Sequence, residues 1–247
     1  MSKEWKTKGL FPNRIPNPDL YDMGYFSGDK AHLDIQYPAD GSYLNPESDY
    51  QYKFKDMLSW ISGFLSQGTI LDIGSGPGHL SYWSQKLQLP YSIINSDVSY
   101  EILKFSQEQN KNTPVVNNAA NLLPFKPSSF DGILFSDILL HLWPEDAFQA
   151  VKQASILIKD NGFIFIKIGN RQSLTSFVRK EQDHIWLPTV SEMENLLSAT
   201  DFNPNSISSF TRGFPFSKTY RQLTGNDLRL PFGGSSIFIA AQKLESN

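Results

Sequence analysis

From Glu47 onward the chain alternates between two hydrophobic periods. Phe54, Met57, Leu58, Ile61 and Leu65 recur at spacings of three and four, which predicts an amphipathic helix stopping at Gly68. "TILDIG" is then a short apolar run of the kind a buried parallel strand shows. "HLSYWSQKLQL" reads as helix, "YSIINSD" as a strand ending at Asp97, "SYEILKFSQEQ" as helix and "TPVVNNA" as a short strand. "SFDGILFSDIL" is a long apolar strand that opens into a turn near His141. In "PEDAFQAVKQASILIKDNG", Pro144 suits a first helical turn, Ala147, Val151, Ala154 and Ile158 share one face, and Gly162 follows the end. "FIFIKIG" is another buried strand, and "TVSEMENLLSATDF" opens with a capping box, Thr189 with Glu192. Strands alternating with helices over residues 69–202 predict a doubly wound α/β sheet.

The flanks read differently. Residues 1–45 are rich in Pro, Gly, Asp and Tyr without a steady period, which predicts an irregular arm or lid carrying Tyr21, Tyr25, Phe26, Tyr37 and Tyr43. Residues 209–234, "SFTRGFPFSKTYRQLTGNDLRLPFGG", read as an insertion before the last strand, with residues 48–202 as the core of a single domain spanning 1–247.

Composition narrows the chemistry. The 247 residues are 40% apolar and 19% charged, a globular balance, and the net charge of −3 argues against a general nucleic-acid binder. With no cysteine, disulfides, thiolate metal sites and cysteine nucleophiles are excluded, which fits a reducing compartment. No run reaches roughly 18 apolar residues, so the expectation is a cytoplasmic protein without a membrane partner. No metal site is expected, and nothing here sets an oligomeric state.

The segment that demands chemistry is "ILDIGSGPGHL", residues 70–80, where Gly74, Gly76 and Gly78 follow Asp72 between a strand and a helix. Such a loop lets a ligand touch bare backbone. A phosphate loop would need Lys and Ser or Thr where His79 and Leu80 stand, and the dinucleotide fingerprint would need glycine at His79.

The Asp-x-Gly-x-Gly-x-Gly pattern resembles the first motif of class I S-adenosylmethionine-dependent methyltransferases, in their small-molecule, type 11-like branch. "INSDVS" and "NAANLLPFKPSSFDGILFSDILLHL" are similar to two further segments of that family, and "SSIFIAAQK" to its last, antiparallel strand. The resemblance implies a mostly parallel seven-stranded Rossmann-like sheet with S-adenosyl-L-methionine as cofactor. It implies cofactor contacts from Asp72, Gly74, Ser75, Gly76, Gly78, Asp97, Val98, Ala120, Asn121 and Ser136, with Asp97 on the ribose hydroxyls. Asp72 would help hold the methionine amino group, although it also reads as a helix cap. Where the family carries an acidic residue near the adenine, this chain has Ala119, leaving Asn118 or the backbone of Ala120 and Asn121 as substitutes.

His141 is the candidate base, with His184 second, since a histidine titrates near neutrality. A structural histidine capping the turn is the alternative. Arg212, Lys218, Arg221 and Arg229 in the 209–234 segment point to an anionic acceptor, against a plain solvated loop. Two other functions stay open: a non-catalytic S-adenosylmethionine binder, and a nicotinamide-dependent oxidoreductase.

Overall fold

The computed structural model describes residues 18–28, 40–173, 184–214, 216–225 and 228–245. Seven strands form one sheet: β1 (Gly68–Ile73), β2 (Tyr91–Asp97), β3 (Val115–Asn117), β4 (Phe130–Ser136), β5 (Ile158–Gly169), β6 (Ser208–Arg212) and β7 (Ser236–Gln242). Their spatial order is β3-β2-β1-β4-β5-β7-β6. All neighbours pair in parallel except β7, which runs antiparallel to β5 and β6. The order reverses between β1 and β4, and open α/β sheets bind ligands outside the carboxyl ends of the strands at such a point.

Helices α1 (Met23–Ser27), α2 (Gln51–Ile61), α3 (His79–Lys86), α4 (Tyr100–Gln109), α5 (Pro144–Leu157), α6 (Val190–Ser198) and α7 (Ser217–Thr224) surround the sheet. Alternation along the strands feeds two cores, as the pleat requires. Ile133, Phe135, Ile164 and Ile166 pack with Ala147, Val151 and Ala154 of α5 and Met193 and Leu197 of α6. Ile70, Leu134, Phe165 and Phe238 face the other way, against Met57, Trp60 and Ile61 of α2 and Leu80 and Trp83 of α3.

The predicted capping box at Thr189 is present in full: its hydroxyl takes the Glu192 N–H at 3.1 Å, and the Glu192 carboxylate takes the Thr189 N–H at 2.7 Å. Three elements differ from the sequence expectation. The first predicted helix stops at Ile61 rather than running to Gly68, which instead opens β1. A side chain at Gly68 would strike the Asp131 carboxyl, which is placed to cap the Thr69 N–H. Ile158 leaves the helix and starts β5, so Gly162 lies within the strand range and not just past a helix; the register shifts between Phe130 and Gly132 absorb the direct passage. The 209–234 segment begins inside the sheet, as edge strand β6, and continues into α7. Its polar "SSFTR" hides the strand because an edge needs no continuous apolar run. Tyr37 lies outside the described residues.

Candidate active site

The strand after "TIL" ends at Ile73, and the chain must turn sharply to enter α3. Gly74, Gly76 and Gly78 all have positive φ, at 70°, 52° and 78°. The loop is tied back to β2: the N–H groups of Gly74 and Ser75 both donate to the Ser96 carbonyl, at 2.7 and 3.0 Å. The Gly76 N–H donates to the Asp97 carboxylate at 2.9 Å, and Ser99 N–H donates to its other oxygen at 3.0 Å. Each carboxylate oxygen keeps a further lone pair. Asp97 is therefore fixed at the tip of β2 with acceptor capacity to spare for hydroxyl groups.

Gly78 has a separate task. A Cβ there would come within 2.0 Å of Ser106 Oγ and 2.6 Å of Asn95 Nδ2, so its missing side chain lets α3 close onto α4 and β2. It packs behind the loop and does not line the cavity below.

Asp72 sits beneath the turn, 4% exposed, and among the described residues its carboxylate has no hydrogen-bond partner. Burial pushes its pKa up to about 7, and the nearby Asp97 charge pushes the same way. Burial also raises Asp97, against the lowering effect of the backbone N–H groups of Ser99 and Gly76. The Ser75 hydroxyl is buried and lacks a partner among the described residues. Two buried carboxylates side by side, with an orphan hydroxyl above them, suit a ligand that carries positive charge and hydroxyl groups.

These residues form one end of a cavity of about 1600 Å³. Asp72, Gly74, Ser75, Gly76, Asp97, Val98, Ala120, Ser136 and His141 all line it, with Asn118 and Ala119. Asn121 does not: its carbonyl is turned to Gln153 Nε2 at 2.7 Å. Asn118, the expected adenine neighbour, lines the cavity with its Oδ1 accepting from Ser96 Oγ at 2.9 Å and its Nδ2 donating to the Ala119 carbonyl at 3.0 Å.

The arm closes over this end. The Phe26 ring would lie 3.1 Å from a Cβ on Gly76. His79 Nε2 donates to the Tyr43 carbonyl at 2.6 Å, and its burial drives its pKa down to about 4, so it is the neutral ring that makes this bond. Edge-on contacts continue from Tyr25 to Tyr21, from Tyr21 to His141 and from His141 to His184, with ring centroids 5.1, 5.5 and 5.3 Å apart. The structure thus brings both candidate histidines together on the cavity wall, His141 at the end of a 3-10 turn (Leu139–His141).

Lys167 lines the cavity beside Ser136, and Asn170, Phe214, Arg212 and Arg221 line it further along the sheet edge. Lys167 pairs with Asp137, whose φ of 57° is unusual for a residue other than glycine. The sequence reading passed over Lys167, although a lysine in the buried run "FIFIKIG" was the available signal. Of the other basic candidates, Arg229 lies over the Phe210 ring, 4.8 Å from its centroid.

Comparison with known proteins agrees with this geometry. Residues 71–166 match the methyltransferase domain family. The matched stretch holds Asp72, the three glycines and Asp97, and it is in this part that the chain is similar to methyltransferases. An S-adenosylmethionine-dependent methyltransferase from Archaeoglobus fulgidus has a similar fold, with a TM-score of 0.63 and 20% identity over 79% of this chain and 95% of that one. Haemonchus contortus phosphoethanolamine N-methyltransferase 2, whose structure contains S-adenosyl-L-methionine, gives a TM-score of 0.61 and 16% identity over 87% of this chain and 60% of that one. An uncharacterized protein of Methanocaldococcus jannaschii is 31% identical over 102 residues, which are 41% of this chain and 37% of the relative's length. The Haemonchus contortus structure holds S-adenosyl-L-methionine, and the partnerless Asp72 carboxylate and Ser75 hydroxyl of this chain fit the charge and polarity of that molecule. Among the described residues no group of acidic, histidine or cysteine side chains could hold a metal, and no helix is long and apolar enough to cross a membrane.

Proposed function

We propose that the protein transfers a methyl group from S-adenosylmethionine to an oxygen, nitrogen or carbon of a small-molecule acceptor that carries negative charge. The observation that carries the reading is the joined cavity, with an acidic, glycine-lined end and a basic end reached from it without a break. Bound at the glycine loop, S-adenosylmethionine supplies an electrophilic methyl group for in-line displacement. The chain then has to hold donor and acceptor at near-attack distance and keep water out. Asp97 and the loop fix the donor end, Asp72 compensates its positive charge, and Phe26, Tyr21 and Tyr25 close the wall against solvent. His141 takes the acceptor's proton where the acceptor is a hydroxyl or an ammonium, with His184 beside it to receive or reorient that proton.

Calorimetric titration with S-adenosylmethionine, S-adenosylhomocysteine and NAD, alongside Asp97→Ala, tests the cofactor assignment. Micromolar binding of the first two, lost in the variant, is the expected result; NAD binding without either would overturn it. Binding followed by failure of every acceptor in a labelled-methyl screen would favour a non-catalytic binder instead. For His141, the expected outcome of His141→Gln is a turnover loss that is largest at high pH, where a histidine base is neutral, and shrinks as pH falls; unchanged turnover at every pH removes the base role.

A further inference from the structure

Pockets for single drug-sized ligands run to roughly 300–1,000 Å³, so a cavity of about 1600 Å³ has room for a cofactor and a second molecule. The sheet register says how that second molecule must lie. Ser136, at the tip of β4, pairs with Lys167, while Gly169 pairs with Ser236 and Ser236 with Arg212, so Arg212 stands at the same carboxyl edge as the glycine loop. From β4 across β5 and β7 to β6 is three strand spacings, about 14 Å at roughly 4.8 Å each. The wall between presents Leu140, Leu187, Leu228 and Phe238 as its apolar surface, beside the polar Lys167, Asn170, Ser235 and Ser236.

At the β6 end the guanidinium of Arg212 is held in place. It donates to Asp56 Oδ2 of α2 at 2.9 Å and lies over the Phe238 ring, 5.2 Å from the centroid, with its side chain only 12% exposed. Arg221 of α7 approaches the same carboxylate oxygen at 3.8 Å. A guanidinium already ordered by one carboxylate is a pre-organised, fork-shaped anion receptor. Burial lowers the Arg212 pKa, and the Arg229 and Arg221 charges push it the same way, against Asp56 and Tyr52.

We propose that the methyl acceptor is an elongated anion with an apolar middle, its carboxylate or phosphate end against Arg212 and Arg221 and its reacting atom beside Ser136. This rests on the methyl-transfer reading and adds to it the acceptor's length and layout. A compact acid would leave either the arginines or the reacting end unfilled.

The test uses the full chain and simple probes: butyrate, octanoate, octyl phosphate and 1-octanol, titrated with and without saturating S-adenosylhomocysteine. Octanoate or octyl phosphate should bind roughly tenfold more tightly than butyrate and than 1-octanol, and which of the two anions leads identifies the end group. Arg221→Gln should weaken the long anions by a similar factor while S-adenosylhomocysteine affinity stays unchanged; Arg212→Lys, which keeps the charge but not the fork, should fall between. Both variants are checked by melting temperature, and Arg221, on the exposed helix, keeps the test usable if Arg212 proves necessary for folding. Equal binding of octanoate and butyrate, of octanoate and 1-octanol, or of wild type and Arg221→Gln would overturn the proposal, as would no binding of any probe at millimolar concentration. S-adenosylhomocysteine separates the two ideas: bound without octanoate, it sinks the elongated-anion proposal alone; unbound while octanoate binds, it sinks the methyl-transfer reading and the acceptor role with it.

Discussion

The two ends of the cavity are built in opposite ways. The acidic end is made by one short stretch of chain and the tip of the next strand: Gly74, Ser75 and Gly76 present backbone, and Asp72 and Asp97 present carboxylates at fixed strand positions. The basic end draws on α2, β6 and α7, so that Asp56 and Arg212 meet although they are 156 positions apart. Backbone recognition at one end tolerates few sequences, because positive φ and close approach both demand glycine. Side-chain recognition at the other end is free to change with the acceptor. On the proposed reading, the difference teaches that the fold fixes the donor and leaves the acceptor to the surface elements.

The strongest way to break the comparison is at the glycine loop. Gly78→Ala forces a Cβ against Ser106 and Asn95 at a φ of 78°, which should cost on the order of 3 kcal/mol or more; a melting curve that does not move would show that α3 closes onto β2 with room to spare. Asp97→Ala removes the acceptor for Gly76 and Ser99, and roughly 100-fold weaker S-adenosylmethionine binding is expected, about 3 kcal/mol. Calorimetry reads it directly, and Arg221→Gln measured in parallel should leave that affinity alone.

A third prediction sharpens the electrostatic contrast. Asp72 titrates near pH 7 in the ligand-free protein. For a carboxyl whose folded pKa is raised, the unfolded chain ionises first, so its contribution to stability is present below about pH 4 and is lost as pH rises towards 7. A bound cation favours the ionised form. Cofactor affinity should therefore rise as pH goes from 6 to 8, by up to about tenfold per pH unit below the pKa and levelling off above it. Near pH 7 binding should release a fraction of a proton, visible as a dependence of the heat on buffer ionisation. Asp72→Asn should flatten both. The smallest effect lies far from either end: Thr189→Ala, which deletes the hydroxyl half of the capping box, should cost about 1 kcal/mol in chemical denaturation without changing cofactor affinity.

Contiguity explains what could be read from the chain alone. The β-α alternation, the three glycines and Asp97 are local patterns, and each maps to one element of the sheet. Gly78 was legible as a glycine but not as a packing residue, because Ser106 and Asn95 reach it only after α4 and β2 have folded against α3. Asn121 was placed at the cofactor by its position in a motif, yet Gln153 of α5 draws its carbonyl away. The helix boundaries at Ile61 and Leu157 fall short of the apolar pattern because Leu65, half-buried, and Ile158, buried, pack through tertiary contacts whatever their local conformation. Strand β6 was lost in a polar edge sequence, and with it the fact that Arg212 stands on the same edge as Asp97.

The ties between the glycine loop and β2 carry one further consequence. Fixing a residue's backbone costs roughly 1–2 kcal/mol of conformational entropy, and here the bonds from Gly74, Ser75 and Gly76 to Ser96 and Asp97 impose that order during folding. A ligand arriving at the loop meets a surface already in its final shape, so its association carries little of that entropic penalty and its selectivity rests on fit rather than on induced ordering.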